Sequence, residues 1–253
     1  MILSEYGIAP VSRPVDISRA LRRAGLLEVH TQDGMEYLDP WTSRAFAVAD
    51  HQVAHVYVRD LADTDAVAGI FVELPGVEQV LDEKGRAFHG LDHERSGELV
   101  AIAEPDAWFT YYYWLDDDRA PDFARQVEIH RKPGYDLAEL LYDPTVPGVK
   151  ARAIGQAARK KAGLRYRIKT VPPDSSGVRG SHGRLPHDPQ DSPVLLCSRP
   201  GPSRDEIDAT DVKDLLLALA GVTTPLTTRA PTWSRPTVRR RPPSTGAWSG
   251  SGP

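Results

Sequence analysis

The chain has 253 residues, 40% hydrophobic, 26% charged and 8% aromatic, a balance that fits a folded domain and excludes collagen-like and coiled-coil chains. Its longest uninterrupted apolar run, Leu215 to Ala220, is far short of the roughly 18 residues a membrane helix needs; Met1 to Tyr6 lacks the basic start of a signal peptide, and the lone Cys197 excludes an intrachain disulfide and a thiolate zinc finger. The net charge of −4 is uneven: residues 222–253 hold five arginines and no acid, so residues 1–221 carry −9, which gives no reason to expect a nucleic-acid partner. A cytoplasmic location with no membrane partner is the expectation.

In chain order, Met1 to Ile8 reads as a buried strand end running into a loop. A helix follows from about Asp16 to Ala24, with Ile17, Ala20, Leu21 and Ala24 on one face and Gly25 as its stop. Leu26 to His30 and Met35 to Leu38 flank Asp33-Gly34 as a hairpin. Phe46 to Asp50 and Val53 to Val58 read as strands, and Thr64 to Leu74 as a helix ending before Pro75. Val77 to Leu81 and Arg86 to His89 read as a second hairpin around residues 82–85. Leu99 to Ala103 and the aromatic Trp108 to Trp114 read as further strands.

Lys150 to Gly163 is a basic helix with a solvated face. Val194 to Cys197 reads as a short buried strand, and Thr210 to Ala220 as a last helix with Val212, Leu215, Leu216 and Leu219 in one stripe. The domain is placed at residues 1–221. The six prolines and five arginines of residues 222–253 make that segment a disordered tail. Alternating helices and short strands favour an α/β fold.

Four polar clusters carry chemistry-bearing residue types. Gly180-Ser181-His182-Gly183 presents an imidazole between glycines, either as a metal ligand or as a plain turn histidine. His51 and His55, four apart on a strand, would share a face and, with Asp50, an ion; packed or solvated histidines are the alternative. His89, Asp92 and His93 precede a polar stretch that reads as a turn. His130, Arg131 and Lys132 stand before Pro133-Gly134 and could hold a phosphate or be a solvated charge run. Neither a P-loop nor a G-x-S-x-G elbow is present.

Leu3 to Ile8, Gly90 to Leu99, Ala124 to Asp136 and Gly180 to Gly183, in that order, resemble the type I phosphodiesterase / nucleotide pyrophosphatase branch of the alkaline phosphatase superfamily. The resemblance covers residues 1 to about 221. It implies an alkaline-phosphatase-like α/β sheet flanked by helices, acting on a small phosphorylated substrate with two zinc ions, one activating a Thr or Ser nucleophile. His182 then corresponds to a zinc ligand. The family's Ser-Asp-His-Gly falls on Ser4-Glu5-Tyr6-Gly7, which keeps a carboxylate ligand in Glu5 and replaces the imidazole by a phenol, a poor zinc ligand unless ionised. Asp50 and His51 are the residues a rearranged site would recruit, with His130, Arg131 and Lys132 as phosphate contacts.

In the family the nucleophile precedes the Ser-Asp-His-Gly motif, so the chain is expected to be the C-terminal portion of a longer α/β domain, incomplete at its N-terminus. A fragment of that kind would expose a sheet edge and self-associate. Two functions follow: hydrolysis of phosphate esters or anhydrides, or a non-catalytic remnant that binds phosphorylated ligands.

Overall fold

The computed structural model describes residues 1–128, 130–141, 147–164, 171–172, 174–186, 188–198 and 207–222. The tail expected over 222–253 lies, beyond Val222, outside the described residues. The strands are β1 (Ile2–Leu3), β2 (Ala9–Pro10), β3 (Arg13–Val15), β4 (Glu28–Gln32), β5 (Met35–Asp39), β6 (Ala45–Asp50), β7 (Val53–Val58), β8 (Val77–Leu81), β9 (Leu99–Ala103), β10 (Ala107–Phe109), β11 (Gly180–Ser181) and β12 (Leu195–Leu196). The helices are α1 (Ile17–Arg23), α2 (Thr64–Val72), α3 (Glu83–Phe88), α4 (Val149–Lys161) and α5 (Val212–Leu219). The chain divides into a larger unit, Tyr6–Ser192, and a smaller one formed by Met1–Glu5 and Pro193–Pro253.

The larger unit is a mixed α/β fold around a four-stranded sheet ordered β6-β7-β9-β8, every neighbouring pair antiparallel. The alternation Ala45-Phe46-Ala47-Val48-Ala49 sets a period of two. Its alanines, with Ala54, Val56, Ala101 and Ala103, form a nearly flat buried face. Small side chains there let α1 and α2 approach closely, and Ile17, Leu21, Val67 and Phe71 from those helices are fully buried against it. Each such burial contributes about 1.5–3 kcal/mol. On the opposite face the rings of Phe46 and Tyr57 stack at 5.1 Å.

The hairpin β4–β5 closes as its turn residues dictate. Gln32 pairs with Met35, and Asp33 (φ 51°) and Gly34 (φ 79°) both take the left-handed conformation of a type I′ turn.

Three sequence expectations are corrected. Residues 82–89 are not a hairpin: the Asp82 carboxylate accepts from Gly85 N at 2.8 Å and Arg86 N donates to Asp82 O at 2.8 Å, so an N-cap starts α3. The strand expected over 108–114 stops at Phe109. Its parallel partner β3 gives way to α1, and Thr110 N makes the last bond to Val15 O at 3.0 Å. Tyr111, Tyr112, Tyr113 and Trp114 are still buried, as irregular backbone packed edge to face.

The third correction lies in the smaller unit. The buried strand end expected at the start of Met1 to Ile8 and the buried strand expected over Val194 to Cys197 contribute only the two-residue antiparallel pair β1–β12. Ile2 is 72% exposed and Leu196 59%. Helix α5 forms as expected and buries Leu215.

Candidate active site

Four segments of the larger unit meet in one ring cluster. The pairing of β2 with β11 runs residues 9–10 beside 180–181, and it lays the Tyr6 ring on the His182 imidazole, centroids 3.7 Å apart and planes within 10°. The two-residue turn between β6 and β7 is held against the same loop, because Gln52 N donates to His182 O at 3.0 Å. That bond places the His51 ring on the other face of His182, at 3.9 Å and 29°. Tyr135 completes the stack on His51 at 4.6 Å. It is delivered by Gly134, whose backbone bridges to Ala49 so closely that a Cβ would overlap the Ala49 carbonyl; Tyr135 N then donates to Ala49 O at 2.8 Å.

Tyr6 and Tyr135 end the stack half-exposed, whereas the His51 side chain between them is only 12% exposed. His51 has φ 57°, a left-handed conformation that a non-glycine residue holds only when its surroundings impose it. The restraints are visible. Phe109 N donates to His51 O at 2.7 Å, and the buried Gln52 donates from Nε2 to Pro105 O at 3.1 Å and Ala107 O at 3.0 Å.

The exposed Asp50 carboxylate lies 2.5 Å from His51 Nδ1. This contact, above all, holds the Asp50 carboxyl below its ordinary range, with help from the positive potential of His51, His182 and His55. An ionised Asp50 accepts a hydrogen bond from Nδ1–H, the tautomer that leaves the lone pair on Nε2. His55 takes no part: it lies within β7, its Nδ1 accepts from Gly97 N at 3.3 Å, and burial lowers its basicity. The expected common face of His51 and His55 fails because His51 belongs to the turn.

The remaining candidates are not members of the ring stack. Glu5 is exposed and belongs to the smaller unit. His130 is exposed, and Arg131 donates to both oxygens of Asp122 at 2.8 and 3.2 Å while covering the Phe123 ring. Lys132 is wholly buried between Asp136 at 2.7 Å and Glu139 at 2.5 Å. His93 accepts from Arg95 N at 3.1 Å within a local turn. Tyr135 and Gln52 were missed by sequence reasoning. The signal for Tyr135 was the preceding Pro-Gly, which forces a close backbone approach; nothing local marked Gln52.

The donor types suit zinc, but their arrangement does not fit a two-zinc centre. A zinc ion lies in the plane of each imidazole that binds it, about 2 Å from the nitrogen. The planes of His51 and His182 are near parallel at 3.9 Å and converge only well beyond that bonding distance. Asp50 is already committed to His51 Nδ1, and Tyr6 presents a ring face. Among the described residues no group of three or more His, Cys, Asp or Glu could hold an ion. One imidazole must turn out of the stack before both can share one.

A family model described as type I phosphodiesterase / nucleotide pyrophosphatase matches residues 1–136. No curated protein matches the chain. Two solved structures of phosphonoacetate hydrolase from Sinorhizobium meliloti 1021 are similar, each at 16% identity. The complex with phosphonoacetate has a TM-score of 0.31 and covers 42% of this chain and 27% of that one. The complex with phosphonoformate has a TM-score of 0.33, with 47% and 29% covered. The chain therefore spans less than a third of the length of these relatives.

Proposed function

Because the chain belongs to the type I phosphodiesterase / nucleotide pyrophosphatase family, we propose that it hydrolyses phosphate esters or anhydrides and that the cluster of Tyr6, Asp50, His51, His182 and Tyr135 handles the phosphoryl group. The observation that carries this reading is the convergence itself. Tyr6, Tyr135 and His182 come from three separate segments of the family resemblance, and they join one stack in which His182 and Tyr135 flank His51, the ring held by the Asp50 carboxylate, while Tyr6 covers the far side of His182.

In this reading the Asp50-held His51 accepts a proton at Nε2 from an attacking water. The water oxygen bonds to phosphorus as the P–O bond to the leaving group breaks, and the imidazolium returns the proton to the departing oxygen. Proton transfer by a positioned group such as His51 is worth about 10²–10⁴ in rate, and Asp50 stabilises the imidazolium that forms. His182 packs the ring and adds a second imidazole edge. The exposed His130 and Arg131 are proposed contacts for the substrate's charge. No step runs through a metal ion, since the donors as placed do not converge. The setting is proposed to be cytoplasmic; no helix of the described residues is long and apolar enough to cross a membrane.

A second reading, binding of phosphorylated ligands without turnover, is favoured by one observation, the closed stacking of the two imidazoles. Hydrolysis of bis(p-nitrophenyl) phosphate, with chelator and with added zinc, separates the two. Turnover that His182→Ala reduces supports the hydrolase. Binding of inorganic phosphate by the wild type, abolished in His182→Ala and without turnover under either condition, supports the binding module.

A further inference from the structure

The buried cation of the 132–136 segment has no role in the chemistry just described, yet it pairs across the two ends of the loop that carries Tyr135. The Lys132 ammonium is fully buried and held by Asp136, four residues on, at 2.7 Å and by Glu139 at 2.5 Å, with the Tyr111 ring 5.4 Å away. Both carboxylates are fixed in turn: Ala138 N donates to Asp136 at 3.0 Å and Glu128 N to Glu139 at 3.1 Å. Between Lys132 and Asp136 the chain makes one tight excursion, Pro133-Gly134-Tyr135, with Gly134 N returning to Lys132 O at 2.9 Å. The tip of that excursion is the ring on His51.

We infer that the buried Lys132–Asp136 pair is a clasp that closes the Pro133-Gly134-Tyr135 loop and sets the Tyr135 ring against His51, which makes Lys132 a positioning residue. The inference rests on reading the ring cluster as the functional site. A charge pair removed from water is strongly directional only when both partners are fixed, and here the backbone fixes the carboxylates while burial fixes the ammonium. The loop ends are thereby tied at one separation, which leaves the Tyr135 ring one seat.

The test reads the His51 ring directly, so it stands apart from any turnover. The Cε1 proton of His51 is assigned by NMR through His51→Gln. Tyr135→Leu sets the scale: loss of its ring current moves the His51 signal downfield. Lys132→Met is expected to reproduce that shift while the His93 signal, from a local turn, stays in place. Should Lys132→Met fail to fold, Asp136→Asn, which keeps shape and acceptor, is expected to move the His51 signal part of the way. A His51 signal unmoved in a folded Lys132→Met, or in Asp136→Asn, overturns the clasp. A wild type that binds phosphate without turnover overturns the hydrolase reading and leaves this result untouched.

Discussion

The imidazoles of His51 and His182 lie face to face, centroids 3.9 Å apart and planes 29° apart. Stacked in that way they cannot both direct a lone pair at one ion. Zinc titrated calorimetrically into the chain at neutral pH is therefore expected to bind the wild type no more tightly than His182→Ala. Two tight sites that His182→Ala removes would contradict the geometry.

Gln52 holds the turn that carries His51. Its side-chain amide is buried and donates to the carbonyls of Pro105 and Ala107. Gln52→Leu keeps the volume but leaves both acceptors unpaired, at about 1–3 kcal/mol each. A urea titration is expected to show a loss of at least about 2 kcal/mol. An unchanged midpoint would mean that these bonds do not hold the turn.

Gly134 meets two demands at once. Its φ of 132° lies where side chains are strained, and a Cβ would overlap the Ala49 backbone. Gly134→Ala is expected to cost about 3 kcal/mol, combining overpacking with backbone strain. It should also displace Tyr135 from His51. Thermal melting with a near-UV aromatic signal checks both, and Gly148→Ala, at φ 68° with open space for a Cβ, shows the smaller cost of a left-handed alanine that meets no clash.

The buried tyrosines predict an alkaline limit. Burial, the leading cause in each case, pushes Tyr111, Tyr112 and Tyr113 well above the ordinary phenol range. A group whose folded pKa is raised contributes stability below its unfolded value, here about 10, and that contribution is lost as pH climbs through and above it. Tyrosinate absorbance is expected to rise in two phases. Accessible phenols ionise reversibly first, and these three ionise only as the fold is lost. A single reversible rise of all nine tyrosines with the fold intact would contradict the packing.

Local signals were read correctly where one interaction decides the outcome. Asp33-Gly34 sets its hairpin because a type I′ turn needs two left-handed residues. Phe46 to Asp50 and Val53 to Val58 read as strands and pair as β6 and β7; that their alanines make the face α1 and α2 approach is seen only in the packing. Residues 82–89 misled because Asp in a turn and Asp at a helix start look alike until Gly85 N is seen on its carboxylate. The candidate site was half legible. Asp50, His51 and His182 stand out as residue types, but their meeting depends on a bond between Gln52 and His182, 130 positions apart along the chain. Lys132 looked like a phosphate contact because its two carboxylate partners lie on a turn whose shape no local spacing reveals.

The most direct test of the account is the rate of bis(p-nitrophenyl) phosphate hydrolysis by the purified chain and by His51→Ala, compared at equal folded fraction. Measurable turnover is expected in the wild type, with a loss of about 10² or more in the variant, the value of a positioned acid–base group. Equal rates in the two proteins would contradict it.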